Sequence, residues 1–137
     1  MDAKHKNDEA PFVSMVDDDI SVRRSTRRLL LCSGLRVEAF ASADEFLRSG
    51  RAEQTDCLLL DIRMPGMDGL ALQQHLVGTG QRMPIVFLSA RASEEEESRA
   101  WRGGAVDFLL KPVSTEKLLH AIHTALRHPN HKPSKEL

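Results

Sequence analysis

The sequence predicts an α/β protein, a doubly wound (βα)5 three-layer sandwich built on a parallel five-stranded sheet. Three observations predict it. Short strand-like runs bounded by polar residues recur five times along the chain. Segments with helical period or helix caps separate them. Most of the runs are almost continuously apolar, as suits strands buried on both faces of a parallel sheet, and right-handed crossovers then put helices on both sides.

The elements follow in order. Phe12-Val13-Ser14-Met15-Val16 is the first strand and stops abruptly at Asp17-Asp18-Asp19. Residues 20–33 read as a helix, with Val22, Leu29, Leu30 and Cys32 among its apolar positions and Arg23, Arg24, Arg27 and Arg28 on the other face. Gly34 stops it in a C-cap role. Residues 35–40 alternate apolar and polar, which is strand period. Ser42 with Glu45 three residues on is a capping-box signature, and the second helix runs to near Gly50. Cys57-Leu58-Leu59-Leu60 is the third strand and ends at Asp61. A Pro65-Gly66 turn leads to a helix over 68–77, and residues 84–88 form the fourth strand. Ser93 precedes a fourth helix whose first turn, Glu94 to Glu97, matches the positive end of the helix dipole; Gly103-Gly104 ends it. Residues 106–110 are the fifth strand and 114–127 a final amphipathic helix. Residues 1–10 read as a disordered polar segment and 129–137 as a linker or tail.

Composition bounds the rest. The chain has 137 residues, enough for one domain. Apolar residues make up 41% and charged residues 28%, which suits a globular domain and excludes a disordered chain. The net charge of −1 gives no general drive toward nucleic acid or membrane. The longest apolar runs fall far below the roughly 20 residues of a spanning helix, and the N-terminus lacks a signal-peptide core, so a cytoplasmic location is expected with no membrane contact. Cys32 and Cys57 have no metal-type spacing and read as buried thiols.

In a doubly wound fold the binding site lies at the carboxyl ends of the strands. Here those ends carry Asp17-Asp18-Asp19, Asp61, Ser89 and Lys111-Pro112. Carboxylates gathered there would repel one another unless a cation joins them, and oxygen ligands suit a hard divalent ion such as magnesium. Asp61 is placed to be a nucleophile, Lys111 to hold a phosphate oxygen and Ser89 to offer a hydroxyl. A lone Asp after a strand is most often a cap or turn residue, which is the reading for Asp19. Acids, hydroxyl and lysine on four strand ends of one edge weigh against that reading for the set as a whole.

These residues in this order resemble the receiver domain of two-component response regulators, the CheY-like superfamily. The resemblance covers about residues 11–128. It rests on Val16-Asp17-Asp18-Asp19, on Leu60-Asp61-Ile62-Arg63-Met64-Pro65-Gly66-Met67-Asp68-Gly69, on Leu88-Ser89-Ala90 and on Asp107-Phe108-Leu109-Leu110-Lys111-Pro112. Gly104-Ala105-Val106-Asp107-Phe108 looks most like the NarL/FixJ class of transcriptional regulators. The resemblance implies a flavodoxin-like strand order of 2-1-3-4-5. It implies Asp61 as phosphoacceptor, and Asp17, Asp18, Asp61 and the backbone carbonyl of Arg63 as ligands for Mg2+, or Mn2+ in its place. Ser89 would be the switch hydroxyl, Lys111 the phosphate-pairing cation before a cis bond to Pro112, and Phe108 the switch aromatic, with plain core packing as its alternative. The partner implied is a sensor histidine kinase or phosphotransfer protein, and the arginines of the first helix are either a solvated face or part of that contact. A phosphorylation-dependent homodimer through the fourth helix and fifth strand is a further expectation. Arg63 and Arg91 flank the expected phosphate entrance. Trp101 reads equally as an interface residue or a satellite of the core, and His120 and His123 do not read as a metal pair.

Two competing classes meet difficulties in the residues. A haloacid-dehalogenase-type phosphatase also uses a strand-end Asp, but wants an acid two residues later, where this chain has Arg63. A degenerate receiver acting only by binding would lack an acid, the acceptor or the lysine, and all are present. The expectation is therefore a signalling domain rather than a metabolic enzyme, with DNA touched only by an output domain absent from this chain. The linker-like tail and the NarL/FixJ resemblance favour the input half of a longer regulator; a stand-alone receiver acting by protein–protein interaction is the alternative.

Overall fold

The computed structural model describes residues 10–127. Five parallel strands form one sheet in the order β2-β1-β3-β4-β5. They are β1 (Phe12–Val16), β2 (Arg36–Phe40), β3 (Cys57–Leu60), β4 (Ile85–Ser89) and β5 (Asp107–Leu110). The helices between and after them are α1 (Ile20–Cys32), α2 (Ala43–Ser49), α3 (Gly69–Gly78), α4 (Glu94–Arg102) and α5 (Thr115–Leu126). A short 3-10 turn at Ala52–Gln54, which the sequence reading lacks, precedes β3.

Strand alternation divides the apolar residues into two cores. Val16, Leu58, Leu60, Ile85 and Phe87 face α2, α3 and α4, where Phe46, Leu72 and Ala100 meet them. Val13, Met15, Leu59, Val86 and Leu88 face the other way, onto Leu30 of α1 and Leu118 and Ile122 of α5. β1, β3 and β4 are buried along their whole length, as near-continuous apolar runs require. The segments set apart as polar ends, 1–10 and 129–137, lie outside the described residues except for Ala10.

Local chemistry fixes the ends of the helices. The Asp19 side chain accepts the N–H groups of Ser21 and Val22 and caps α1. Gly34 follows α1 at φ 86°, a left-handed conformation that costs glycine little. The expected capping box of α2 forms by half. Ser42 accepts from the Glu45 N–H, but the Glu45 carboxylate reaches one residue further back, to the Ala41 N–H at 2.7 Å. The full capping box is at α4, between Ser93 and Glu96.

One expectation about the cysteines is corrected. Cys57 is buried in β3, where burial, followed by the charge of Asp56, pushes its thiol up to about 12. Cys32 is exposed, because the last turn of α1 turns Leu31 and Cys32 away from the sheet and leaves Leu30 to fill the core. Trp101 is 43% exposed and donates to Glu97 on its own helix, which favours the surface reading. Other differences are shifts of one residue: β4 and α3 begin and end one residue later than the sequence suggests, β2 and β5 begin one residue later, α1 ends one earlier, and α5 begins one later and ends one earlier.

Candidate functional site

The carboxyl edge of the sheet brings four of the singled-out residues together. Asp17 follows β1 and Asp61 follows β3, and these strands are neighbours in register. The Asp61 N–H donates to Val16 O at 3.0 Å and the Asp17 N–H to Phe40 O at 3.1 Å, so the backbone ladder itself fixes where both carboxylates start. Carboxylate oxygens of Asp17, Asp18 and Asp61 lie within 4.8 Å of one another. Lys111, which follows β5, closes the group. Its Nζ is 2.6 Å from Asp17 Oδ2 and 3.6 Å from Asp61 Oδ2. The Lys111–Pro112 bond is cis.

Burial sets the electrostatics. Asp17 and Asp61 are both buried, whereas Asp18 is exposed. Burial, then the Asp17 charge, pushes the Asp61 carboxyl from its ordinary 3.8 to about 6, against the opposing pull of Lys111 and of the Arg63 backbone N–H. Burial alone would lower Lys111; its bond to Asp17 and the charges of Asp17 and Asp61 outweigh that and raise it. The cluster is therefore short of positive charge. Three carboxylates and one ammonium, all the acidic donors being oxygen, fit a hard divalent cation such as Mg2+ and give a softer metal no nitrogen or sulfur to hold.

Ser89 ends β4 and is almost wholly buried. Its hydroxyl donates to the Arg91 carbonyl at 2.8 Å, turned into its own loop instead of onto Asp61. The Lys111 N–H donates to Ser89 O at 2.9 Å, so lysine and hydroxyl sit on paired strand ends. Phe108 lies one layer deeper. It is half-buried and packs against the Phe87 ring with centroids 5.9 Å apart. Arg63 and Arg91 line a shallow recess with Ala92 and Ser93.

Three contacts at the site are absent from the sequence reading, although the residues that make them are named in it. The Arg23 guanidinium donates to the Asp17 carbonyl at 2.8 Å, so this arginine braces the acidic edge and is more than a solvated face. Gly69, the first residue of α3, lies so close to β3 that a Cβ there would run into the Asp61 carbonyl. Arg63 reaches Glu96 of α4, 33 residues away. Of these, only the close approach of Gly69 has a trace in the sequence, as the glycine that ends the Pro65-Gly66-Met67-Asp68-Gly69 run; in the structure it directly follows Asp68, which caps α3 by accepting the Ala71 N–H.

The response regulator receiver domain profile matches residues 13–123. Over 124 residues the chain is 40% identical to response regulator protein TmoT of Ectopseudomonas mendocina, covering 90% of this chain and 56% of TmoT. Transcriptional regulatory protein TdiR of Thauera aromatica is 41% identical over 121 residues, 88% of this chain and 53% of TdiR. The crystal structure of FixJ-N superposes with a TM-score of 0.79 at 30% identity, over 88% of this chain and 96% of that one. The chain thus spans about half the length of the curated relatives it matches. No helix among the described residues is long and apolar enough to cross a membrane.

Proposed function

The chain belongs to the response regulator receiver domain family, and from that membership we propose that it accepts a phosphoryl group on Asp61 and relays the change to the face formed by α4, β5 and α5. One observation carries this reading: Asp17, Asp18 and Asp61 converge with Lys111 on one strand edge. The donor is a histidine kinase or phosphotransfer protein, in the cytoplasm. Asp17, Asp18, Asp61 and the Arg63 backbone carbonyl would hold Mg2+, with Mn2+ as substitute. When bound, the ion neutralises charge on the incoming phosphoryl group and helps align it.

The chain's own residues supply the rest. An Asp61 carboxylate oxygen bonds to phosphorus as the bond from phosphorus to the donor atom breaks. Lys111 exchanges its contact with Asp17 for a phosphoryl oxygen, and the Ser89 hydroxyl turns from Arg91 O toward another. The volume Ser89 leaves beside β4 is then open to the Phe108 ring, and α4 and β5 follow. That face is where phosphorylation-dependent pairing of two copies belongs. The output is transcription, through a DNA-binding domain outside this chain.

The test is adduct formation. With Mg2+ and acetyl phosphate or beryllofluoride, the wild-type chain takes up one equivalent and Asp61→Asn takes up none. Uptake by Asp61→Asn would overturn the assignment, and sustained turnover of small phosphate esters would point to a phosphatase instead.

A further inference from the structure

The Arg91 carbonyl is a junction. It accepts the Ser89 hydroxyl at 2.8 Å and the Arg63 Nε–H at 3.2 Å, which together occupy both of its lone pairs. The same Arg63 guanidinium places its Nη2 2.7 Å from Glu96 Oε1. That oxygen also takes the Ser93 N–H at 2.9 Å, while the Ser93 hydroxyl takes the Glu96 N–H at 3.0 Å. One planar side chain from the loop after β3 therefore pins the loop after β4 at two points. One is the acceptor of the Ser89 hydroxyl. The other is the capping box of α4.

We propose that the Arg63 side chain is a positioning residue for Ser89: clasped by Glu96, it fixes the Arg91 carbonyl where the Ser89 hydroxyl is held away from Asp61. The proposal deepens the phosphoacceptor reading and rests on it. The physical logic is one of competing partners. The hydroxyl has one proton to donate, and Arg91 O and an oxygen on Asp61 compete for it. A fixed acceptor in a good position wins more of that competition than a mobile one. Arg63 can hold the acceptor firmly because its guanidinium is a rigid fork and spends one N–H on the carbonyl and another on the carboxylate. Removing the clasp leaves Ser89 intact and lets its resting acceptor wander, which favours the turned-in hydroxyl. The pair is partly exposed, so the shift is small, about two- to five-fold.

Glu96→Gln is the informative variant. Gln keeps a carbonyl oxygen for the Ser93 N–H, so the α4 cap survives while the charge of the clasp is lost. The measurement is beryllofluoride affinity at saturating Mg2+, in wild type, Glu96→Gln, Ser89→Ala and the double variant. The expected result is about two- to five-fold tighter binding for Glu96→Gln in the wild-type background and no gain in the Ser89→Ala background. An equal gain in both backgrounds would mean that freeing the Arg63 charge simply attracts the anion, and would overturn the positioning role. No gain in either would overturn it as well. A second arm uses no anion: amide exchange over residues 89–93 rises in Glu96→Gln, and exchange there equal to wild type would overturn the positioning role. If wild type itself fails to bind beryllofluoride, the phosphoacceptor reading falls and this proposal falls with it; if wild type binds and the cycle is additive, only this proposal falls.

Discussion

The Lys111 ammonium stands 2.6 Å from the Asp17 carboxylate, across 94 residues of sequence and between the ends of β5 and β1. Asp17 is 2% exposed, so this is a carboxylate withdrawn from water with a cation as compensation. Breaking such a pair from one side strands the other charge. Lys111→Met is expected to lose on the order of 1–3 kcal/mol of stability in metal-free urea unfolding, with Mg2+ recovering part of the loss. A Lys111→Met chain as stable as wild type without metal would show that Asp17 does not depend on the lysine.

Metal binding should stabilise the folded chain by mass action, by about 1.4 kcal/mol at tenfold excess over Kd. Asp18 is the exposed member of the acidic set. Asp18→Asn should therefore abolish the Mg2+-dependent rise in Tm while leaving metal-free stability within about 0.5 kcal/mol of wild type. Thermal melts with and without Mg2+ decide it, and a full metal response in Asp18→Asn would remove Asp18 from the ligand set.

The raised Asp61 carboxyl has a stability consequence of definite sign. Its folded value of about 6 lies above the ordinary 3.8, so the fold favours the protonated form. Without metal, that contribution is present at low pH and lost as pH rises through about 6. Asp61→Asn should accordingly be more stable than wild type at pH 8 in metal-free buffer, by roughly 1–3 kcal/mol. The advantage should shrink below pH 6 and vanish near pH 4. A difference that stays constant over this range would contradict a titrating, charge-burying Asp61.

Two glycines of α3 should respond in opposite directions to alanine. At Gly69 the new methyl would meet the Asp61 carbonyl and the Ile62 Cα, so Gly69→Ala should lose about 1–3 kcal/mol. At Gly78, in the last turn of the same helix, nothing lies within 4 Å of the added carbon. There alanine should gain about 0.5–1 kcal/mol by helix propensity. Chemical unfolding of the two variants checks both, and a neutral Gly69→Ala would mean that α3 is free to shift away from β3.

Strand ends were the most legible part of this chain. Asp17, Asp61 and Lys111 each follow an apolar run whose limits polar residues mark, and parallel topology then obliges them to share an edge. Asp19 was readable as a cap for a similar reason, because capping is a contact between near neighbours in sequence. Cys32 was misread because one apolar position at a helix end can fall on either side of the buried stripe. Glu45 kept its capping role but chose a different donor, a choice of loop geometry that the S-x-x-E pattern does not encode. The Arg63–Glu96 and Arg23–Asp17 contacts had no signature at all, since each depends on where a long flexible side chain settles after the loops have packed.

The uneven packing of the sheet has a mechanical consequence. Both acceptor-side carboxylates hang from β1 and β3, strands walled in on either side and on either face, whereas β5 has a neighbour on one side only and ends in a residue 60% exposed. The acidic cluster is thus anchored in the most densely packed part of the sheet, and β5 borders it at the least packed part. A displacement begun at Asp61, as proposed, would meet the least packing toward the β5 rim. The other edge strand, β2, ends in the buried Phe40, so of the two edges only β5 carries its exposure at the end of the sheet where the carboxylates sit.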